Sequence, residues 1–438
     1  MVALGGCQKE SAPSPATAPA ASAAAEAVTN GTFTALTYNV AGLPAIISSS
    51  SPAVNTTQIG TLIRSYDIVH VQEDFNYHAA LYAADNHPFR TSTSGGVPFG
   101  DGLNTLSKYV ITDFQRVKWA NCRGTDCLTP KGFTYSRIRL AEGVYLDFYN
   151  AHPNAGDTPE DKAARRANIT QLSQFIALNS VGNAVLVMGD TNCRYTRAED
   201  VIRTLTDTNG LTDVWIKTIR NNSVPALGAP ALTCGGAPTT NQCEVVDKIF
   251  YRGNRYVTLN SSGFQQFDPR FVNVTTGEDL SDHYPMTTTF GWTLNPAYQL
   301  SDLFGGPHGT PYTDVAVLPA APKVSKLTLR GGSRVDRVAL TLTNGTTLAH
   351  GGTGGTERTL TLNAGEVLTS VRLNAGKKDN RTRIFFAEFR TSANRTLAVG
   401  TGTADAVTYT APAGWQIVGF HGRAGSEVDK LGVIYAPR

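Results

Sequence analysis

The sequence predicts an α/β domain followed by an all-β domain, and three observations lead to this prediction. Charged residues make up only 17% of the 438-residue chain while Gly is plentiful, with 42 residues, which favours strands and turns over solvated helices. Short apolar runs alternate with polar turns from about residue 32 onward. Beyond a Pro/Gly-rich region, Gly305–Pro322, the helical patterns disappear. A chain of this length is expected to hold two or three units, each able to bury its own core.

The N-terminal segment carries a candidate export signal. The run Leu4-Gly-Gly-Cys7 resembles the lipobox at which a bacterial signal peptidase cuts before a lipidated cysteine. Ser11–Val28 consists almost wholly of Ala, Pro, Ser and Thr, which is typical of a flexible tether. We interpret residues 1–30 as a truncated lipoprotein signal and tether, with lipidation at Cys7 and an extracytoplasmic location, either anchored to the membrane or secreted. A chance cysteine in a disordered tail is the alternative.

The remaining cysteines suggest a disulfide framework. They are Cys122, Cys127, Cys193, Cys234 and Cys243. In an oxidising compartment Cys122 with Cys127, and Cys234 with Cys243, are near enough in sequence to close two local loops, and the odd count leaves one cysteine unpaired. Zinc is the alternative, but neither pair has the two-residue spacing of a zinc knuckle and no His cluster accompanies them.

The first 295 residues predict strands and one long helix. The strands are predicted at Phe33–Val40, Asp67–Gln72, Val144–Tyr149, Ala184–Met188 and Thr287–Trp292. A helix is predicted over Glu160–Asn179, where Pro159 suits a helix start. The apolar positions that recur there near helical spacing are Ala163, Ile169, Leu172, Phe175 and Ile176. We expect this helix to pack on a sheet.

The last 140 residues alternate tightly between apolar and polar residues. Lys326–Arg330, Val338–Thr343 and Thr359–Asn363 show this pattern, with Gly-rich turns between such runs. Closure or mutual packing of sheets protects strand edges, so the pattern predicts a closed or prism-like β domain.

Polar residues stand at the predicted strand ends of the first domain. They are Asn39, Glu73, His152, Asp190, Asn192, Asp282 and His283, with Asp247 just inside a further strand. Any one of them has a structural explanation, because Asp and Asn favour turns. Together, carboxylates, amides and imidazoles without a thiolate cluster suit Mg²⁺ or Mn²⁺, and His beside carboxylates supplies a proton acceptor.

The order of these motifs carries a family resemblance. The series is Tyr38-Asn-Val40, Val71-Gln-Glu73, His152, Gly189-Asp-Thr-Asn192 and Ser281-Asp-His-Tyr-Pro285. It resembles the endonuclease/exonuclease/phosphatase superfamily, which includes deoxyribonuclease I-like nucleases and neutral sphingomyelinases. The resemblance covers residues 31–295. It implies a deoxyribonuclease I-like four-layer α/β sandwich, in which two mixed sheets pack face to face.

The resemblance also implies the metal ligands and the base. Glu73 is the main ligand of Mg²⁺ or Mn²⁺, with Asn39 beside it and Asp282 completing the metal environment. His283 is the general base that takes a proton from water, and Asp247 orients its ring.

The same resemblance implies three further roles. Asp190 positions the attacking water, while Asn192 and His152 donate hydrogen bonds to the phosphate oxygens. The family often has Leu or Thr after the first catalytic His, whereas Pro153 follows His152 here.

The substrate class is less sharply indicated. Asn39-Val-Ala-Gly-Leu-Pro44 is more similar to sphingomyelinases, whereas Val246-Asp-Lys-Ile249 is more similar to nucleases. A net charge of +3 and a pI near 8.4 are too mild for an electrostatic nucleic-acid footprint. We predict a sphingomyelinase or phospholipase C activity. The alternatives are an extracellular deoxyribonuclease-like nuclease and a glycan-binding adhesin on an inactive hydrolase scaffold, although no mapped catalytic position is replaced.

The C-terminal domain, residues 300–438, resembles the jacalin-related lectins. The motifs are Phe304-Gly-Gly-Pro-His-Gly309, Leu329–Asp336, His350–Gly355 and Gly422–Gly432. The resemblance implies a β-prism of three four-stranded sheets that binds cell-surface glycans. Its sugar site maps to Gly306, Gly425, Ser426, Glu427, Val428 and Asp429. Glycines let backbone amides approach hydroxyl groups and the Asp429 carboxylate accepts hydrogen bonds, although these glycines also suit a prism that merely closes its turns.

Overall fold

The computed structural model describes residues 28–43, 51–95, 100–234 and 240–438. The strands of the N-terminal domain are β1 (Asn30–Asn39), β2 (Ile68–Gln72), β3 (Phe89–Arg90), β4 (Asn104–Ser107), β5 (Val110–Lys118), β6 (Gly132–Ala141), β7 (Val144–Ala151), β8 (Ala184–Asp190), β9 (Thr212–Asp213), β10 (Asp247–Arg252), β11 (Val257–Gln265) and β12 (Met286–Leu294). Its helices are α1 (Pro52–Ile63), α2 (His78–Ala84), α3 (Pro159–Asn179), α4 (Thr204–Asp207) and α5 (Val214–Thr218). Among the described helices, none is long and apolar enough to span a bilayer.

These strands form two six-stranded mixed sheets that pack face to face. One has the order β11-β12-β1-β2-β4-β3 and the other β5-β6-β7-β8-β10-β9. The pairs β1–β2 and β7–β8 are parallel, whereas the other paired strands are antiparallel. Phe33 of β1 meets Phe148 of β7 between the sheets, with ring centroids 6.2 Å apart. The five predicted strands are β1, β2, β7, β8 and β12.

Helices cover the outer faces, so the domain has the predicted four layers. Ile59 and Ile63 of α1 pack with Leu36 and Val69 on one sheet. On the other sheet, Phe175 of α3 contacts Phe133, with ring centroids 5.0 Å apart, and also Tyr149.

Helix α3 begins as its sequence predicts but buries a slightly different face. Pro159 is its first residue, and Thr158 caps it by accepting a hydrogen bond from the Asp161 backbone. Ala163 was expected on the buried face and is exposed instead. The buried stripe includes Arg165, whose charge is satisfied because its Nε lies 2.9 Å from Asp200 Oδ1.

The C-terminal domain is an all-β prism. Its strands are β13 (Gln299–Leu300), β14 (Phe304–Gly305), β15 (Thr310–Thr313), β16 (Val324–Gly331), β17 (Val335–Leu342), β18 (Thr347–Gly351), β19 (Thr356–Thr361), β20 (Leu368–Lys378), β21 (Arg381–Thr391), β22 (Thr396–Gly400), β23 (Asp405–Thr410), β24 (Trp415–Ala424) and β25 (Val428–Pro437). Two sheets have four strands, with the orders β18-β17-β16-β19 and β22-β21-β20-β23. The third contains β15, β24 and β25, and its edge is divided between β13 and β14.

The divided edge strand lies where the prism contacts the first domain. Asp302 stands between β13 and β14, and its carboxylate faces Arg139, at 2.7 Å from Nη2. It also accepts hydrogen bonds from the backbone of Gly143 and the hydroxyl of Tyr145. The gap in the strand therefore lets one side chain join the two domains.

Both predicted disulfides are confirmed. Cys122 pairs with Cys127 and Cys234 with Cys243, with Cα atoms 5.3 and 5.5 Å apart. Cys193 is buried and is the free cysteine of the described residues. Cys7 and most of the predicted tether lie outside the described residues.

Candidate active site

The predicted catalytic residues lie where strands of both sheets end on one rim. Asn39 ends β1, Glu73 follows β2, His152 follows β7, Asp190 ends β8, Asp247 begins β10 and His283 precedes β12. Asp247 and Asp190 face each other in the antiparallel pair of β10 and β8. The short contacts described below join these residues into one network.

His283 and Asp247 form a hydrogen-bonded pair. The Nδ1 atom of His283 lies 2.9 Å from Oδ2 of Asp247, whose side chain is buried. Burial alone would lower the pKa of His283, but the carboxylates of Asp247 and Asp190 raise it well above its usual value. The pair fixes the imidazole ring and leaves Nε2 directed at Asp190, as required of an oriented general base.

Asp190 is the shared carboxylate at the centre of the network. Its Oδ2 lies 3.2 Å from Asn39 Nδ2, 3.4 Å from His152 Nε2 and 3.6 Å from His283 Nε2. Burial would raise its pKa, yet the neighbouring His283 and His152 hold it well below the usual range. Asp190 therefore stays ionised and ties the two sheets together at the rim.

Glu73 joins the network through His152. Its Oε1 lies 3.8 Å from His152 Nε2, and its side chain is 20% exposed and so accessible to a ligand. Its backbone is left-handed, with φ of 58°, a conformation that costs about 1 kcal/mol in a non-glycine residue and is common at functional sites. Gly42 accommodates this turn, because a Cβ there would lie 2.4 Å from the Glu73 carbonyl oxygen.

The residues present suit a hard cation. Carboxylate and amide oxygens line the rim, and Asp247 Oδ1 is buried without a hydrogen-bond partner. Among the described acidic and imidazole groups, the cluster whose ligand atoms lie within 4.8 Å of one another is Asp190, Asp247 and His283. Of the predicted ligands, Glu73 and Asn39 reach the same network, whereas Asp282 is exposed beside His283 and accepts from the Ser281 hydroxyl.

Asn192 contacts the backbone after His152. Its Nδ2 donates to the carbonyl of Pro153 at 3.2 Å, and its backbone N–H donates to Asp190 Oδ1 at 2.9 Å. Its φ of 53° is left-handed. In this arrangement Asn192 joins the loops that follow β7 and β8, while His152, with Pro153 beside it, still faces the carboxylates.

Sequence reasoning missed Lys131, which reaches the same rim. Its Nζ lies 3.3 Å from His152 Nε2 and 2.6 Å from Asp126 Oδ1. Lys131 is buried, and Asp126 belongs to the loop that Cys122 and Cys127 close. No motif contains this lysine, and the nearby cysteine pair was the one signal in its vicinity.

The predicted sugar site also comes together in the prism. The Gly306 backbone N–H donates to the carbonyl of Asp429 at 2.8 Å, which joins the Gly-rich turn to the loop. Asp429 Oδ1 pairs with Arg383, whereas its Oδ2 is buried without a hydrogen-bond partner. Within the loop, the backbone of Gly425 donates to Glu427 at 2.9 Å.

The other residues of the predicted sugar loop differ in how far their side chains are exposed. Gly425 and Ser426 are exposed. Glu427 is buried and ion-paired to Arg334 at 2.8 Å and to Lys378 at 3.2 Å. The side chain of Val428 lies in the core of the prism, so only its backbone can face a ligand.

Comparison with known proteins finds a match in each domain. The family described as Endonuclease/Exonuclease/phosphatase family 2 matches residues 53–222, and the Jacalin-like lectin domain matches residues 301–434. A sphingomyelinase of Mycobacterium tuberculosis (strain ATCC 25618 / H37Rv) is 40% identical over 270 residues, which are 60% of this chain. The alignment covers 53% of that sphingomyelinase, so the chain spans about half its length.

Two further relatives match one domain each. Horcolin of Hordeum vulgare subsp. vulgare is 31% identical over 127 residues, which cover 28% of this chain and 87% of horcolin. The solved structure of sphingomyelinase C from Streptomyces griseocarneus is 19% identical, covers 59% of this chain and 99% of its own, and has a TM-score of 0.42. Residues 53–222 therefore match the Endonuclease/Exonuclease/phosphatase family 2 model, and through its C-terminal domain the chain belongs to the jacalin-like lectin family.

Proposed function

We propose that the N-terminal domain is a divalent-metal-dependent phosphodiesterase of the sphingomyelinase type. The observation that carries this proposal is the His283–Asp247 pair, at 2.9 Å, set beside the buried Asp190 carboxylate on the rim that Glu73 shares. Such a pair is the arrangement of a general base with its orienting carboxylate. The 40% identity to a sphingomyelinase supports a phospholipid substrate over nucleic acid.

Different residues of the domain would carry out proton transfer, phosphate binding and metal binding. His283 accepts a proton from the attacking water on Nε2 while its Nδ1–H donates to Asp247. Lys131 and His152 place positive charge and N–H donors where the phosphate oxygens gain charge. Glu73 and Asn39 would hold Mg²⁺ or Mn²⁺, which would supply further positive charge to the phosphate, and Asp282 would have to turn from its exposed position to join them.

The test of this proposal compares substrates and variants. Purified protein is assayed with Mg²⁺ on sphingomyelin vesicles and on plasmid DNA, with and without EDTA. We expect sphingomyelin hydrolysis that EDTA abolishes and that His283→Ala lowers by about a hundredfold or more. The matched control is His350→Ala, because His350 forms the same kind of pair with Asp314, at 2.8 Å, in the prism.

The other outcomes identify the rival functions. Cleavage of DNA without cleavage of sphingomyelin would assign a nuclease. Turnover of neither substrate with any divalent metal, together with glycan binding, would assign an adhesin on an inactive scaffold. Near-normal turnover of His283→Ala would reject the assignment of the base.

We further propose that the prism directs the hydrolase to glycosylated surfaces. The support is the juxtaposition of Gly306 with the Gly425–Asp429 loop and the unpartnered Asp429 Oδ2, which is suited to accept from a sugar hydroxyl. Glycan-array binding that is lost in Asp429→Ala tests this proposal, and binding that survives would place the site elsewhere. The two disulfides agree with an extracytoplasmic location, and lipidation of Cys7 is testable by mass spectrometry of the membrane fraction.

A further inference from the structure

A buried charge cluster joins the two domains at strand β5. Asp113 of β5 pairs with Lys430 and Arg423 of the prism. The Lys430 Nζ contacts Asp113 Oδ1, and Arg423 Nη1 lies 3.5 Å from Asp113 Oδ2. The three residues are only 4%, 4% and 6% exposed, respectively. In a cluster this deeply buried, loss of one partner is costly because it leaves the opposite charge buried without compensation.

The two cations flank the predicted sugar loop. Lys430 directly follows Asp429, the last residue of the loop, and Arg423 lies two residues before Gly425, the first. Both ends of the loop are therefore fixed to one carboxylate of the hydrolase domain. Arg423 also donates through Nε to the carbonyl of His308, at 3.1 Å, in the Gly-rich turn that carries Gly306.

The backbone of β5 is shaped to present Asp113. The pairing of β5 with β6 shifts register between Ile111 and Asp113, which marks a β-bulge. Thr112 closes the bulge by donating through Oγ1 to the carbonyl of Arg137, at 3.1 Å. Bulges redirect side chains, and this one directs Asp113 into the prism.

The balance of charge makes Asp113 indispensable to the cluster. Burial alone would raise its pKa, but Lys430 and Arg137, with Arg423, hold it below its usual range. Asp113 therefore stays ionised. Without its charge, Lys430 and Arg423 would lose the carboxylate that both contact, and the repulsion between these two buried cations would drive the loop ends that carry them apart.

We propose that Asp113 is a positioning residue for the sugar site: the hydrolase domain holds both ends of the Gly425–Asp429 loop, so the prism binds sugar at full strength only when it is docked. The inference rests on the proposed glycan binding of the prism. It adds a residue of the opposite domain to that site.

The test uses the full chain with Asp113→Asn, Lys430→Met and the control Asp302→Asn. Asp302 also joins the domains, but through Arg139, Gly143 and Tyr145 rather than through the two cations that flank the sugar loop. Hydrogen exchange is followed at the amides of Gly306 and Gly425, which are bonded to the loop. Calorimetry measures binding of methyl α-mannoside and methyl α-galactoside.

We expect both cluster variants to speed exchange at these two amides and to weaken sugar binding by about tenfold, a typical coupling between distinct sites. Exchange in the strands β20 and β21, which distinguishes loop release from unfolding, should not change. Sphingomyelin hydrolysis should not change in Asp113→Asn, because Asp113 pairs with Arg137 in the middle of β6, whereas Lys131 of the rim precedes the first residue of that strand. Asp302→Asn should leave the loop amides as in the unmodified protein.

The opposite results separate the two proposals. Unaltered exchange at Gly306 and Gly425 in both cluster variants would overturn the role of Asp113, whatever the sugar affinity. If the unmodified protein binds neither sugar, the proposed glycan binding fails for these probes, and exchange at the loop still decides the role of Asp113.

Discussion

At the residue scale, the chemistry of the rim depends on one buried carboxylate that several side chains share. Asp190 faces Asn39, His152 and His283 at 3.2 to 3.6 Å. Negative charge fixed in a buried place raises the pKa of the His283 imidazole beside it. The pKa of His283 therefore depends on the charges of Asp247 and Asp190.

Removal of the Asp247 charge should shift the pH dependence of hydrolysis. A general base works when neutral, so a raised pKa means that activity is lost as pH falls through that raised value. In Asp247→Asn we expect the acid limb of the profile of kcat/KM against pH to move to lower pH, while kcat falls by about a hundredfold or more. An acid limb that stays in place would show that another group titrates.

Lys131 should act through its charge on the phosphate. We expect Lys131→Ala to lower kcat by about a hundredfold, the scale of one lost transition-state donor, with a smaller change in KM. Lys131→Arg should restore part of the loss. The matched control is Lys108→Ala, which removes a surface pair with Asp67. Equal effects of Lys131→Ala and Lys108→Ala on kcat would contradict the role.

The sequence revealed most of this network because its members stand in ordered motifs at strand ends. Lys131 stands in no motif. It reaches His152 because β6, which it precedes, lies beside β7, and such a neighbour is visible only once the strands are paired. The contact of Asn192 with Pro153 was hidden for the same reason.

At the element scale, the two long helices show what a sequence pattern can reveal. Helix α3 can be predicted from its capping residues and from the spacing of its apolar residues. Helix α1 was missed, because its buried face includes Asn55, Thr56 and Gly60 and so lacks an apolar stripe. Its Gly60 instead allows a close approach to α2.

Substitution at Gly60 tests this close approach. A Cβ there would lie 2.4 Å from the carbonyl oxygen of Leu81, so Gly60→Ala should destabilise the protein by about 1 to 3 kcal/mol. That cost exceeds the gain in helix propensity, which is about 1 kcal/mol. Thermal unfolding measures the change, with Thr61→Ala, at an exposed position of the same helix, as the control. A more stable Gly60→Ala would show that the helices can move apart.

The sugar loop should lose stability in acid. A hydrogen bond from Arg334 outweighs burial and, with Lys378, lowers the pKa of Glu427 from 4.5 to about 2. Because the pKa of Glu427 is lower in the folded than in the unfolded protein, its ionised carboxylate stabilises the fold at pH values above about 4.5. This contribution is lost as the pH falls from about 4.5 to about 2. The free energy of prism unfolding should therefore fall more steeply with decreasing pH in the unmodified protein than in Glu427→Gln. Glu357→Gln, in a more exposed pair with Arg330, should keep the full slope.

At the scale of the whole molecule, both domain folds could be predicted, but their docking could not. The motifs that identify each fold lie within one domain. The docking contacts are single residues, Asp113 and Asp302, that no pattern distinguishes from other surface acids. The β-bulge that directs Asp113 and the divided edge strand around Asp302 are likewise departures from regular strand patterns.

The loop closed by Cys122 and Cys127 makes the geometry of the rim depend on the redox state of these two cysteines. It contains Asp126, which holds Lys131 against the rim. Cytosolic thiols would keep the two cysteines apart. In a reduced chain Asp126 would therefore be held less firmly against Lys131, and formation of the disulfide would order this side of the rim.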